Sequence, residues 1–370
     1  LRRQGYSVIL LEANRLGWGA SGRNGGHVGS GQCVGQQELE ALVGIERARA
    51  LWDLGLEGVQ TVCDLVDAFS IDCELKRGDL HVASTRGDAR RLAAKVEHLQ
   101  KVYGYDPLSY IESDSLADLT SGQGFHGAAL DSGARHLHPL NYALGLAAAA
   151  KQLGATLHEE SRVTDYTEDK TVTVHTEAGS VEAEFLVLAC NGYLGGLEPR
   201  TAGRIMPINN YMLATEPLPE ATARRLIRDD TSVSDTRFVV NYWKLSADNR
   251  LLFGGGETYS RRLPTDIKRF VRPHMLRIYP ELADTRIDYA WGGTLAITMN
   301  RMPDFGRLSP QVYYAHGYSG HGVPIATLAG KLLAEAIAGQ AQRFDVMSGV
   351  PTPRFPGGTL LRWPGLVAGM

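Results

Sequence analysis

Seven glycines fall between residues 19 and 35, in GASGRNGGHVGSGQCVG, and the apolar run YSVILLE (6–12) just upstream ends on an acid, Glu12. A carboxylate closing a strand can accept hydrogen bonds from ribose hydroxyls, as the acid after the second strand of a dinucleotide-binding fold does. Taken alone, Glu12 is equally well read as a polar strand end. The loop that follows adds chemistry. Ser21, Gly22, Arg23, Asn24, Gly25 and Gly26 combine small residues, whose backbone amides can close on an anion or a flat ring, with one guanidinium and one amide. Arg23 is expected to neutralise a phosphate or to approach a flavin ring. A matching piece lies near the other end, where HGYSGHG (316–322) joins an apolar strand to a helix expected to start near Pro324. A helix N-terminus carries free N–H groups and a partial positive charge. Aimed at a flavin, it would stabilise the negative charge of the reduced ring. A plain strand–helix turn needs one glycine, and three stand here, at 317, 320 and 322.

The elements that must position these loops are legible in outline. LRRQGYS reads as the last turn of a helix stopped at Gly5, and YSVILLE as a parallel strand covered on both faces. Helix into strand is the later part of a βαβ unit. The glycine-rich turn that would precede Glu12 by about 20 residues is expected upstream of residue 1, with the first strand of the sheet, so the chain reads as a fragment. Helical stretches are expected near 37–69 and 86–103, and over 140–155 between Pro139 and Gly154. Strands are expected around 81–86, 127–139 and 184–197, and FVVNYWKLSADNRLLFGGG (238–256) reads as a hairpin turning at SADN. Residues 19–35 are expected to hold no regular element. Strand–helix alternation in separated places favours an α/β fold with a parallel sheet assembled from discontinuous segments, accompanied by an α+β second domain.

The bulk numbers set bounds. The chain has 370 residues, enough for two domains, and a net charge of −3, which gives no reason to expect nucleic acid. No apolar run approaches the roughly 20 residues of a membrane span. Cys33, Cys63, Cys73 and Cys190 lack metal-ligand spacing and read as reduced structural residues of a cytoplasmic protein. No metal is expected, and His136 and His138 read as structural.

The sequence resembles flavoprotein amine oxidases of the glycine/D-amino-acid oxidase superfamily. LLEANRLGWGASGRNGG (10–26), DSGARHLHPLN (131–141), ACNGYLG (189–195), NYWKLSADNRLLFGGG (241–256), NRMPDFGRL (300–308), YYAHGYSGHGV (313–323) and FPGG (355–358) carry the likeness in the family's order. The resemblance implies a Rossmann-like FAD-binding domain (1–75, 132–204 and 288–345, lacking its first strand), an antiparallel-sheet substrate domain (76–131 and 205–287) and a C-terminal tail (346–370). It also implies that Glu12 binds the adenosine ribose and that residues 21–26 lie along the pyrophosphate and flavin. Val163 would pack near the adenine, Asn191 and Gly192 would line the cofactor, and Gly317, Gly320, His321, Gly322 and Val323 would reach the flavin ring. Related sarcosine oxidases attach the flavin to a cysteine. WGGTLAIT (291–298), the matching region, has none, so FAD is expected to be held without a covalent bond. Those enzymes also activate oxygen with a lysine, where this chain offers Leu252. Lys244 is nearby in sequence but has no assigned role.

The implied reaction removes a hydride from the carbon beside an amine nitrogen, so the amine must be neutral, although a free alkylamine has a pKa of about 10.4. A desolvating aromatic wall favours the neutral form. The candidates are Tyr242 or Trp243, of which alternation lets only one face the flavin, with Trp291 and Tyr318. A gamma-glutamylated putrescine or related polyamine is the expected substrate and molecular oxygen the expected acceptor. Arg237 or Arg261 would hold its carboxylate. The competing readings are a flavin dehydrogenase or demethylase of an N-methyl or D-amino acid using another acceptor, and a chain that binds no FAD.

Overall fold

The computed structural model describes residues 1–258 and 264–368. A short 3-10 turn, Arg2–Gln4, ends at Gly5, whose φ of 88° is the left-handed stop expected of glycine. There follow β1 (Ile9–Leu11), a single helical turn α1 (Ala20–Arg23), β2 (His27–Val28), α2 (Gln36–Val43) and the long α3 (Ile45–Phe69). Next come β3 (Lys76–Val82), α4 (Arg86–Tyr103), β4 (Leu108–Glu112), α5 (Ser113–Leu116), β5 (Gly127–His136) and α6 (Pro139–Gln152). The chain then forms β6 (Thr156–His158), a meander of β7 (Val163–Glu168), β8 (Val172–Thr176) and β9 (Gly179–Ala183), then β10 (Leu186–Leu188) and α7 (Pro199–Ala202). β11 (Met206–Thr215), α8 (Glu220–Leu226), β12 (Ser232–Asp235) and the hairpin β13 (Tyr242–Leu245) and β14 (Leu251–Thr258) lead to α9 (Ile267–Ile278) and β15 (Ile287–Ile297). β16 (Asp304–Arg307), β17 (Val312–His316), α10 (Gly322–Ile337), α11 (Gln342–Ser348) and α12 (Gly358–Ala368) complete it.

Local chemistry fixes several of these ends. The Thr85 hydroxyl caps α4 by accepting from the Asp88 amide, and Gly104 closes the helix at φ 64°. Pro139 starts α6, where a missing N–H costs nothing. Two readings need correcting. Residues 19–35 do contain regular structure, in α1 and β2. The first strand is only three residues long, and Ile9 and Leu10 are 46% and 41% exposed rather than covered on both faces.

The parallel pairing is in two pieces. β1 pairs with β6, and β10 pairs with β17, which continues antiparallel into β16; among the described residues no ladder joins the two pieces. The largest sheet has nine strands, in the order β15-β11-β14-β13-β12-β3-β5-β2 with β4 beside β5. It reaches beyond the expected substrate domain. β15 pairs with β11 along its length, and β2, from the first glycine-rich loop, pairs with β5. Hydrogen bonding therefore ties residues 287–297 into the antiparallel sheet.

Two cores flank the site. One face of the large sheet buries Leu80, Val82, Val233, Trp243 and Phe253 against α8 and α9. The other core packs α3 and α10 around Tyr313, Ala315 and Tyr318. Among the described residues, no helix is long and apolar enough to cross a membrane.

Candidate cofactor and substrate site

The second face of the large sheet is polar and ordered by register. Ala129, His81, Ser234, Tyr242, Gly254, Met212 and Trp291 are direct cross-strand partners in turn, crossing β5, β3, β12, β13, β14, β11 and β15. Directly paired residues share a face, so the seven form one row. A parallel row contains Asp131, Asp79 and Ser232. Alternation along β13 sends Tyr242 to this face and Trp243 to the other.

The first glycine-rich loop is clamped onto this face. A Cβ on Gly25 would lie 2.6 Å from the Tyr242 ring, and one on Gly254 2.2 Å from it, so the ring lies between two bare backbones. The Tyr242 hydroxyl donates to Asn210 Oδ1 at 2.5 Å, and the ring meets His27 edge-on at 5.7 Å. Asn24 shapes the turn: its amide donates to the Ala20 and Ser21 carbonyls and its Oδ1 accepts from the Gly26 amide at 2.7 Å. Gly26 is obligatory, since a side chain there would strike the Leu137 carbonyl and φ is 77°. Gly22 sits against the Gly17 carbonyl. Ser21 is exposed on α1.

Arg23 is engaged within the protein. Its Nε donates to the Trp18 carbonyl at 2.5 Å and one terminal nitrogen to the Gly292 carbonyl at 3.0 Å, while the guanidinium lies 4.8 Å from the Trp18 ring. Trp291 Nε1 returns a hydrogen bond to the Arg23 carbonyl at 2.9 Å. Arg23 and Trp291 thus tie the loop to β15.

The distant segments join the same place. The Glu12 backbone bonds to His158 and Ser161, and its Oε1 accepts from the Asn14 amide at 2.8 Å, with Oε2 given no hydrogen-bond partner among the described residues. Val163, at the start of β7, packs against the same small core as Leu11. Glu12 is close enough to Cys190 to help raise its thiol pKa, after burial. Asn191 accepts from the Gly317 amide at 3.0 Å, and Gly192 packs on the β15 carbonyls of Thr294 and Leu295. From the second loop, His321 Nε2 donates to the Gly31 carbonyl at 3.2 Å and lies against Gly29. Gly320 has φ 95°, and a side chain there would point into open space. Gly322 and Val323 begin α10.

Electrostatics distinguish the histidines from the acids. Burial pushes both His81 and His321 down to about 4, so both are neutral at pH 7. Burial would raise Asp79, but hydrogen bonds from His27 (3.2 Å) and Ser232 (2.6 Å) outweigh it and hold the carboxyl below its usual range. The other ring nitrogen of His27, Nε2, is buried and has no partner among the described residues. Cys33 and Lys95 keep exposed surface, yet burial raises the thiol's pKa and lowers the ammonium's. The Cys33 thiol donates to the Ser319 carbonyl at 3.1 Å, which joins the first loop to the second.

Several sequence candidates lie elsewhere. Trp243 is fully buried in the opposite core, stacked on Phe253 and donating to the Tyr279 hydroxyl. Tyr318 points into the α3/α10 core and donates to the Ala315 carbonyl. Arg237 is ion-paired with buried Asp235, and Arg261 lies outside the described residues. Lys244 is the direct partner of Leu252, 2% exposed, with burial pushing its pKa down to about 8. His27, Asp79 and His81 join this sheet without having been singled out in the sequence. Only the alternation of β3 (burial switching at each residue through DLHV) hinted that Asp79 and His81 share a face. Among the described residues, no group of three His, Cys, Asp or Glu side chains could hold a metal ion.

Loops from both ends of the chain meeting over one sheet face define a family, and the chain belongs to it: residues 1–336 match the DAO family of FAD-dependent oxidoreductases. Among curated proteins, it is 39% identical over 98% of its length to gamma-glutamylputrescine oxidoreductase of Escherichia coli, 85% of which it spans. A probable oxidoreductase, OrdL, of Haemophilus influenzae is 36% identical over 98% of the chain and is 84% spanned. Among solved structures, glycine oxidase from Geobacillus kaustophilus superposes with a TM-score of 0.76 at 20% identity, covering 92% of this chain and 90% of its own. L-proline dehydrogenase from P. horikoshii gives 0.73 at 20% identity, covering 94% and 93%. Both carry the same fold.

Proposed function

We propose that this chain oxidises the amine of a gamma-glutamylated putrescine or a close polyamine relative, with FAD held without a covalent bond and oxygen as acceptor. The observation that carries the reading is the clamp of Tyr242 between Gly25 and Gly254, which makes the polar sheet face one wall of the space bounded by the two glycine-rich loops. The likeness to the Escherichia coli enzyme supports the substrate class. The unpartnered His27 Nε2, the open Glu12 Oε2 and the free space beside Gly320 fit an elongated polar cofactor. Glu12 and Val163 would hold its adenosine end, residues 21–26 with Asn191 and Gly192 its middle, and Gly317, Gly320, His321, Gly322 and Val323 its ring. When bound, FAD supplies the two-electron acceptor for the hydride.

The chain's own residues prepare the amine. Neutral His81 and His321 add no positive charge that would repel an incoming ammonium, and the Asp79 carboxylate attracts it. The apolar faces of Tyr242 and Trp291 then favour the deprotonated nitrogen that the reaction needs. The test is peroxide formation by the FAD-loaded protein with gamma-glutamylputrescine, putrescine, sarcosine and D-amino acids. The first should give the highest kcat/KM. Flavin that is reduced anaerobically but not reoxidised by oxygen would point to a dehydrogenase instead.

A further inference from the structure

Asn210 of β11 and Tyr242 of β13 stand two strands apart, with β14 between them. Adjacent strands are about 4.8 Å apart, so a tyrosine reaches across only if nothing stands on the middle strand. Gly254 of β14 is that bare position, and the Tyr242 ring lies over it. Asn210 shares the polar face. Its neighbour Tyr211 is fully buried in the opposite core, as Trp243 is beside Tyr242, and alternation sends each preceding residue the other way. The pairing of β11 with β14 slips between Asn210 and Met212, where Gly256 has φ 76°. Such a bulge re-aims nearby groups, and here the Gly256 carbonyl meets Asn210 Nδ2 at 3.4 Å.

That contact settles the direction of the next one. A carbonyl can only accept, so the amide end facing Gly256 is the nitrogen and the end facing Tyr242 is the oxygen. The amide oxygen only accepts as well, so the Tyr242 hydroxyl gives it its one proton, at 2.5 Å. The phenol oxygen is left with lone pairs alone. Tyr242 and Asn210 both retain accessible surface, neither lies on an edge strand, and the far face is closed by the core. That surface therefore opens on the space above the polar face. An amine losing hydride must keep its nitrogen lone pair free, and a hydroxyl donating to that lone pair would oppose the reaction. A hydroxyl whose proton is already taken can only accept an N–H from the nitrogen.

We propose that Asn210 is a positioning residue: it takes the Tyr242 proton, so that the phenol oxygen binds an N–H of the reacting amine and leaves the nitrogen lone pair free to expel hydride. This rests on the amine-oxidising reading above and adds to it a residue that acts through Tyr242.

The test is the anaerobic rate of flavin reduction by gamma-glutamylputrescine in the FAD-loaded parent, Asn210→Leu, Tyr242→Phe and the double variant. Asn210→Leu removes the acceptor at nearly equal volume and should slow reduction about three- to tenfold, the range for one neutral hydrogen bond. Asn210→Asp keeps an acceptor oxygen and should recover most of the loss. In the Tyr242→Phe background, Asn210→Leu should change the rate by no more than about twofold, because a residue acting through the phenol has nothing left to act on. A purely structural asparagine would slow both backgrounds alike. Calorimetric titration of the photoreduced, FAD-loaded protein, which cannot oxidise the amine, reads binding alone, and Tyr242→Phe should weaken it about three- to tenfold. Equal slowing by Asn210→Leu in both backgrounds, or unchanged affinity in Tyr242→Phe, overturns the assignment. If the Asn210 variants do not fold, Tyr242→Phe, which keeps the ring between Gly25 and Gly254, decides it by the titration. A parent whose flavin is reduced by none of the amines overturns the proposed function itself, and the role of Asn210 falls with it.

Discussion

The two glycine-rich loops use glycine for different reasons. In the first, glycines are demanded by the protein itself. Gly25 accommodates Tyr242, Gly26 the Leu137 carbonyl and Gly31 the Trp52 ring. In the second, Gly320 meets nothing, and what it contributes is a φ of 95° and an unobstructed approach. The first loop is thus a packed element whose shape is set from below by aromatic rings and carbonyls. The second is packed at Gly317, where a side chain would strike Thr298, and leaves its backbone open only at Gly320.

That contrast is broken most strongly at Gly26. Gly26→Ala combines a left-handed φ with a methyl group driven into a carbonyl, and should cost about 2–5 kcal/mol. Thermal unfolding of the variant should show a fall of several degrees, and most of the flavin should be lost on purification. A melting temperature equal to the parent's would mean that the first loop is not packed as described.

Acid should act on both loops through the buried histidines that contact them or belong to them. His136, the β5 partner of His27, is pushed down to about 3 by burial, and His321 to about 4, from an ordinary value of 6.5. Between those limits the unfolded chain binds more protons than the folded one, so stability rises with pH there. The contribution is complete above about pH 6.5 and is lost progressively as pH falls towards 4. Denaturant midpoints measured from pH 7.5 to 4.5 should decline over that window, and a His321→Gln variant should decline less steeply.

Arg23→Ala tests how the first loop is tied to β15. It removes two charge-assisted hydrogen bonds and a cation–π contact, roughly 1–3 kcal/mol. Flavin dissociation, followed by fluorescence, should speed up. Trp291→Phe, which removes only the return hydrogen bond, should do the same to a smaller degree. An unchanged flavin off-rate in both variants would argue that the tie does not shape the loop.

The smallest effect on stability is expected at Gly320. Gly320→Ala meets no neighbour, so its cost is the backbone term alone, about 1–2 kcal/mol. Flavin affinity should fall by more than stability does, the reverse of a purely structural glycine. A variant with unaltered flavin affinity would remove Gly320 from the cofactor surface.

Much of this was readable from residue order. The stop at Gly5, the helix from Pro139, the hairpin turning at SADN and the strand–loop–helix at 312–337 all depend on neighbours in sequence. So does the conflict between Tyr242 and Trp243, which alternation posed but could not resolve. The hairpin's register resolved it by pairing Tyr242 with Gly254 and with Ser234. Tyr318 misled for a related reason. Belonging to a loop that meets the site does not fix the direction of a side chain, and this one turns into the core.

Residue order by itself determined where the backbone must bend, cap and come close, because those demands are met by glycine, proline and short polar side chains within a few positions. Tertiary structure alone decided which groups share the cleft. Asp79, Ser232, Tyr242 and His321 come from different elements, and they come together only once strand register and the seat of the loops on the sheet are set. Those depend on burying apolar faces drawn from segments more than a hundred residues apart.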